Sequence, residues 1–297
     1  MHNAWLIIPE FGLILLGSAL HAGTRWGTEF WRGLEKLVYF VLFPALLFVS
    51  IVRVPFDFKA AHFFLVGITI TLAGVLLGYL AKPLVKLDQR SFASGVQCAF
   101  RFNSFLALAP AAALGGEAGV ALLSLLIGLA VPLCNVASVW GLARSGEGSI
   151  ARELLRNPLI LATGGGLICN LLQLQLPAPA LTILQRLGQG SIPLGLMAVG
   201  AGLRLTGLSA APFLSLWFGC VKLMLLPALA LLLAHRVELT PLQTQIVVMF
   251  AALPSATSSY ILATRMGGNG PFVAFIVSAT TIASIITLPF WLSQVSR

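Results

Sequence analysis

Apolar runs of about 20 residues, such as "LVYFVLFPALLFVSIV" at 37–52, follow one another along the chain with short polar or glycine-rich breaks between them. A helix of about 20 residues rises about 30 Å, the depth of a bilayer's hydrocarbon core, so each run is the length of one crossing. About ten such runs are legible, at 5–22, 35–52, 63–81, 91–114, 118–142, 156–174, 182–203, 211–234, 241–264 and 271–293. Apolar residues make up 58% of the chain and charged ones 9%, too few to cover a water-soluble surface. None of the runs alternates residue by residue as a barrel strand does, so the expected fold is an all-α integral membrane bundle. The first run ends in small residues like a secretory signal. No Lys or Arg precedes it and many spans follow, so it is expected to stay as a helix.

A net charge of +9 would point to nucleic acid in a soluble domain, but in a membrane chain its distribution sets orientation instead. Breaks after odd-numbered spans carry Arg25, Arg32, Lys36, Lys82, Lys86, Arg90, Arg144, Arg152, Arg156, Arg204 and Arg265. The other side has Arg53, Lys59, Arg186, Arg236 and Arg297. Because basic residues favour the cytoplasmic side, both termini are expected outside it. Cys98, Cys134, Cys169 and Cys220 all fall inside apolar runs, with no CxxC pair and no nearby histidine. That is the pattern of buried packing residues rather than of a metal site, and no cofactor, metal or nucleic-acid partner is expected.

The chain also repeats itself. "LEKL" at 34–37 and "LQRL" at 184–187 are each followed within a span by a proline, Pro44 and Pro193. "GGEAGVALLSLLIGLAVPL" at 115–133 precedes "GGNGPFVAFIVSATTIASI" at 267–285, and both open a run after a double glycine. The shared offset near 150 divides the chain into halves, 1–145 and 146–297, of five helices each. Five crossings is an odd number, so the second half enters the membrane from the opposite side. Inverted repeats of this kind belong to secondary transporters, with the substrate near the midplane between discontinuous helices.

The fourth and ninth spans hold equivalent places in the halves and carry the oddest polar content. The fourth has Gln97, Arg101, Asn103 and Ser104 before Pro110; the ninth has Pro254, Ser255, Thr257, Ser258 and Ser259. Proline removes a backbone donor and clashes with the preceding turn, freeing polar groups that survive at membrane depth only when they line a cavity or are covered by protein. Two broken helices are therefore expected, the alternative being proline kinks whose serines bond back to the backbone.

"FRFNSFLALAPAAALGGEAG" at 100–119, "VPLCNVASVWGLA" at 131–143, "LLRNPLILATGGGLICNLL" at 154–172, "SIPLGLMAVGAGLRL" at 191–205 and "ALPSATSSYILATRMGG" at 252–268 together resemble the auxin efflux carrier family of permeases. Its bacterial members include transporters of malonate and other carboxylates. The resemblance implies ten transmembrane helices in two inverted repeats, as in sodium/proton antiporters and bile-acid symporters. Helices 1, 2, 6 and 7 would form a scaffold and helices 3–5 and 8–10 an elevator-type transport domain, with broken helices 4 and 9 crossing in it. It implies a small organic anion, a mono- or dicarboxylate, bound at that crossing, and a place in the bacterial inner membrane. It leaves open proton or sodium coupling and a homodimer through the scaffold helices. Asn103, seven residues before Pro110, matches the family's crossing asparagine, and Pro254 matches the break in its ninth helix. Where bacterial relatives often carry an asparagine four residues after the second proline, this chain has Ser258, which leaves the choice of anion open.

Arg101 lies about ten residues into its span, about 15 Å deep, too far for its side chain to reach the cytoplasm easily. On a continuous helix Arg101 and Asn103 would point about 200° apart, so both reach one cavity only if the helix unwinds near them. A guanidinium can hold a carboxylate in a two-pronged fork. The candidate substrate-binding set is Arg101, Asn103, Ser104, Asn135, Ser255, Thr257, Ser258 and Ser259, with Lys222 and Glu10 as support or coupling residues. Among the nine acidic residues, Glu10 and Glu117 lie in or beside a span and both sit near an end, which disfavours a sodium/proton antiporter with a midplane carboxylate. An intramembrane enzyme is disfavoured too, because no HExxH, GxGD or clustered histidines are present. A channel or sensor on the same fold is the remaining alternative, and the proline-broken pair favours a carrier over it.

The charge asymmetry generates a topology test. On a cysteine-free background, Ser145→Cys should be protected from an impermeant thiol reagent in intact cells and Ser296→Cys should be labelled. The reverse pattern would invert the orientation.

Overall fold

A computed structural model describes residues 8–53, 61–84, 88–143, 158–203 and 211–295, which hold helices and no strand. In chain order these are α1 (Ile8–Gly23), α2 (27–53), α3 (Ala61–Leu80), α4 (Gln89–Val96), α5 (Ser104–Ala143), α6 (Pro158–Leu171), α7 (Ala178–Ala201), α8 (212–236), α9 (Pro241–Ala252), α10 (Ser258–Arg265) and α11 (Gly270–Val295). Among them Gly27–Val52, Ala61–Leu80, Pro212–Arg236, Gly270–Val295 and the stretch Gln89–Leu142 are long and apolar enough to cross a bilayer. Lys59, Lys86, Arg144, Arg152, Arg156, Arg204, Arg297 and the labelling positions Ser145 and Ser296 lie outside the described residues, as does the side chain of Glu10.

Three interruptions decide what the helices position. The first is a widened turn ahead of proline. Within α2, Val38–Leu42 is a π-turn followed by Pro44; within α8, Val221–Leu225 is a π-turn followed by Pro227. A proline ring clashes with the carbonyl four residues earlier, and loosening the ladder to five residues relieves that clash. For Pro227 the carbonyl in question is Leu223, and Trp291 Nε1 of α11 donates to it at 2.8 Å. The second is the glycine pair in α5, where Gly115 (φ −144°, ψ 15°) and Gly116 (φ 55°, ψ −137°) kink the helix. The left-handed φ of Gly116 strains any residue with a Cβ. The second double glycine behaves alike, with Gly267 at φ 70° between α10 and α11. The third interruption is the pair of gaps after α4 and α9.

Contacts divide the chain into two compact units: Met1–Ala61, Phe105–Leu129 and Ala151–Gly202 form one, and His62–Ser104, Ala130–Ile150 and Leu203–Arg297 the other. In the first unit, α1 and α7 pack backbone to backbone. A Cβ at Gly17 would strike the Met197 carbonyl, and one at Gly200 the Ile14 carbonyl. Gly188 of α7 lies against Leu46 of α2, and Gly166 of α6 meets the Phe48 carbonyl. Small residues at such contacts let helices approach closely where apolar lipid gives no hydrophobic drive for association. Asn170 caps the end of α2, its Nδ2 donating to the Ile51 carbonyl at 2.7 Å. Glu35, at the edge of its span in the sequence, stands inside α2 because that helix begins at Gly27.

In the second unit, α3 lies against the end of α4: a Cβ on Gly74 would sit 3.0 Å from Phe100 Cβ, and one on Gly78 3.1 Å from Ala99 Cβ. Trp217 of α8 donates to the Leu77 carbonyl of α3 at 2.9 Å. Asp88 caps α4 by accepting from the Ser91 amide at 2.9 Å, and that bond holds its carboxyl below the usual carboxylate range.

The glycine contacts generate a stability test. Gly17→Ala and Gly200→Ala should each cost about 1–3 kcal/mol or more, because a carbonyl cannot move aside as a side chain can. Gly12→Ala, with open space around it, should leave the melting temperature in detergent unchanged. Equal melting temperatures for all three would refute the close approach.

Candidate functional site

The fourth span breaks earlier than its proline. α4 runs into one 3₁₀ turn, Gln97–Ala99, after which Phe100 leaves the helical region (φ −128°, ψ −24°) and helix resumes at Ser104. Pro110, read from the sequence as the break, instead sits buried inside α5, and the gap is 100–103. Physically, the break needs no proline because another broken segment takes up its backbone groups. In the ninth span the break does lie at its proline: α9 ends at Ala252, Leu253 turns extended (ψ 143°), and α10 begins at Ser258.

The two gaps satisfy each other. The Asn103 amide donates to the Pro254 carbonyl at 2.8 Å, and Ser255 Oγ donates to the Cys98 carbonyl at 2.6 Å. Thr280 of α11 accepts from the Ser255 amide at 3.2 Å, and the Cys134 thiol approaches the Phe100 carbonyl at 3.6 Å. The last carbonyls of any helix lack internal partners. At α4 the Ser255 hydroxyl supplies one; at α9 Lys222 does, its Nζ donating to the Ala251 carbonyl at 2.8 Å. Lys222 is 2% exposed and stands in the π-turn of α8, so the widened turn ahead of Pro227 carries a cation to the negative end of the α9 dipole.

Arg101, 9% exposed, sits in the fourth-span gap. Its Nη1 donates to Asn135 Oδ1 at 3.0 Å and to Ser138 Oγ at 3.3 Å; Nη2 donates to Ser258 Oγ at 3.0 Å. Asn135 and Ser138 share one face of α5 at i, i+3, and Ser258 opens α10. These three oxygens belong to neutral side chains, and together they orient the guanidinium. The positive end of α10 adds to it at Ser258, and such a locus favours an anion.

The structure therefore brings Arg101, Asn135 and Ser258 into one hydrogen-bonded cluster, with Asn103 and Ser255 bonding the gaps together. Ser259 is fully buried beside them in sequence, while Ser104 and Thr257 are half-buried at the starts of α5 and α10. Thr257 makes no cap bond with its side chain. Sequence reasoning passed over Ser138, although its three-residue spacing from Asn135 places both on one helix face. It also left out Asn269, whose amide and side chain bond Ser94 and Ser91 of α4 at 2.8 and 3.0 Å.

Several helices long and apolar enough to cross a bilayer, together with two broken segments whose gaps pair with each other, mark a multi-pass membrane protein. A family model described as "Membrane transport protein" matches residues 142–292, and the chain belongs to that family, the auxin efflux carrier family of permeases. It is 26% identical to a Rhizobium meliloti protein named "Putative malonate transporter", over 95% of this chain and 92% of the relative. It is 25% identical to an "Uncharacterized transporter" of Methanothermobacter thermautotrophicus over 98% of both chains. A third such transporter, from Methanocaldococcus jannaschii, is 22% identical over 87% of each. The family and these relatives are transporters, not enzymes.

Ser255→Ala should leave the Cys98 carbonyl unpaired and cost about 1–3 kcal/mol, read as a lower melting temperature in detergent. Thr182→Ala, which removes an exposed hydroxyl bonded to the Ala178 carbonyl, should cost far less. A Ser255→Ala protein as stable as the parent would mean that this bond does not hold the break.

Proposed function

We propose that the protein is a secondary-active carrier of a small organic anion, a malonate-like mono- or dicarboxylate, bound where the fourth and ninth spans break and carried by an elevator-type alternating-access movement. The observation that carries the reading is the Arg101 guanidinium, placed at the gap by Asn135, Ser138 and Ser258. With those bonds made, an incoming carboxylate has to replace one of them. Ser258 is the natural one to yield, because its hydroxyl, unlike the Asn135 oxygen, can turn and donate to the carboxylate it admits. Asn103, Ser255 and Lys222 hold the two gaps in register. The Rhizobium relative's name supports a dicarboxylate of malonate's kind.

The reading includes ten crossings in two inverted five-helix repeats. It is supported by gaps at 100–103 and 253–257 and by left-handed glycines at 116 and 267, both near the offset of 150 seen in the sequence. It also includes a scaffold of helices 1, 2, 6 and 7, a transport domain of helices 3–5 and 8–10, and a bacterial inner-membrane location with both termini on the periplasmic side. Coupling runs through a proton or sodium ion, or through the substrate's own carboxyl.

The test is a thermal-shift and titration series on purified protein with malonate and other mono- and dicarboxylates, since a ligand of the folded state alone raises its stability. Arg101→Lys keeps the charge but loses the planar fork, and it should weaken binding strongly in a protein that still folds. Asn103→Ala keeps the main-chain bond to the Pro254 carbonyl and removes only the side-chain amide, so a loss of about 1–3 kcal/mol in binding is expected if that amide meets the anion. If Arg101→Lys instead lowers the melting temperature while the folded fraction binds as before, Arg101 holds the break and the ligand sits elsewhere.

A further inference from the structure

α10 is a helix of eight residues, too short to hold its own course, and within the second unit both of its ends are tied. At its first residue, Ser258 Oγ accepts the 3.0 Å bond from Arg101 Nη2. At its other end the Gly267 amide donates to the Thr264 carbonyl at 3.3 Å and the Gly268 amide to the Ala263 carbonyl at 2.7 Å, with Gly267 at φ 70°. That is the Schellman arrangement, which turns the chain off a helix end in a fixed direction. It delivers Asn269 to α4. The Asn269 amide donates to Ser94 Oγ at 2.8 Å and its Nδ2 to Ser91 Oγ at 3.0 Å, while its Oδ1 accepts from the Phe272 amide at 3.1 Å and caps α11. Glycines permit the approach: a Cβ on Gly268 would strike Ser94 Oγ, and one on Gly95 would strike the Phe272 ring. Gly270 likewise admits Tyr260 and Thr264, so α10 and the start of α11 form one hairpin with Asn269 at its tip. The bonds close a ring, from α4 through the 3₁₀ turn to Arg101, across to Ser258, along α10 and back through Asn269 to α4.

We propose, resting on the carboxylate reading of Arg101, that Asn269 is a positioning residue of the anion site. It bonds the tip of the hairpin to α4, and that attachment keeps the Ser258 hydroxyl and the positive end of α10 facing the guanidinium. Asn269 acts from the far end of a helix that rises about 12 Å, so it sets affinity without touching the anion. With the attachment cut, the hairpin turns about its remaining tie at Ser258. An arriving carboxylate then has to order α10 as well as bind, and that ordering subtracts from its affinity.

The experiment uses the purified full chain in detergent, with malonate titrated calorimetrically and amide hydrogen exchange followed without ligand. Asn269→Ala should bind malonate about fivefold more weakly, the ratio that one net hydrogen bond sets. Ser91→Ala keeps the α11 cap, should weaken binding in the same direction, and carries the test where Asn269→Ala fails to fold. Asn170→Ala removes a side-chain amide bond of the same kind in the first unit, and it should lower the melting temperature with malonate affinity unchanged. Because Asn269 acts through Ser258, the Asn269→Ala/Ser258→Ala double variant should bind as Ser258→Ala alone does. Exchange of the 258–265 amides should rise in Asn269→Ala and Ser91→Ala and stay unchanged in Asn170→Ala. Unchanged malonate affinity in both α4-side variants, or two losses that multiply in the double variant, would overturn the proposal. A parent protein that binds neither malonate nor any other carboxylate would defeat the carboxylate reading by itself, and exchange then decides. Faster exchange at 258–265 would keep Asn269 as the residue that holds Ser258 to Arg101, and unchanged exchange would remove it.

Discussion

A backbone amide or carbonyl in hydrocarbon has no water to turn to, and everything distinctive in this structure follows from that constraint. A continuous helix meets it internally. A broken one must find partners elsewhere, and in the second unit the gap at 100–103 and the gap at 253–257 are partners for each other. The Asn103 amide bonds the Pro254 carbonyl and the Ser255 hydroxyl bonds the Cys98 carbonyl, so neither gap is tenable without the other. This reciprocity explains why the polar residues come as a matched pair in the sequence. It also explains why small residues line α3 opposite the break, where Gly74 and Gly78 let Phe100 and Ala99 approach within about van der Waals contact.

The two buried cations divide the remaining work. Lys222 donates to the Ala251 carbonyl, one of the last in α9, and thereby serves a helix end whose partial charge is negative. Arg101 donates to three neutral side-chain oxygens beside the start of α10, where the partial charge is positive. A cation at a helix C-terminus is compensated by the protein. Arg101 stands instead beside the positive end of α10, and this asymmetry separates the surroundings of the two cations.

Much of the fold was legible because hydrophobic length is a blunt and reliable signal. The run at 241–264 covers α9 and all but the last residue of α10, and the run at 271–293 lies inside α11. The break near Arg101 and Asn103 was legible for a related reason: charged and amide groups rarely stand at that depth without local unwinding. Its assignment to Pro110 failed because proline is only one route to a break, and here a facing backbone segment provides another. The π-turns were invisible to hydropathy, since widening a turn by one residue leaves composition untouched, although Pro44 and Pro227 mark the places. The partner of Lys222 could not be read at all, because a main-chain carbonyl has no letter. The α5 kink in the first unit was half legible: the double glycine announced a turn, but not the space beside it.

Glycine serves opposite ends in this chain, and the difference is one of φ rather than of location. Gly17, Gly188 and Gly200 are helical and surrounded, and they act by absence of a side chain, bringing backbones together. Gly116 and Gly267 have left-handed φ and open space, and they act by backbone freedom, turning the chain between helices. A substitution at the first kind introduces a collision that packing cannot absorb. At the second kind it introduces backbone strain with no collision, which a local adjustment of the turn relieves in part. The same residue type therefore fixes helices in contact at some positions and turns the chain between helices at others.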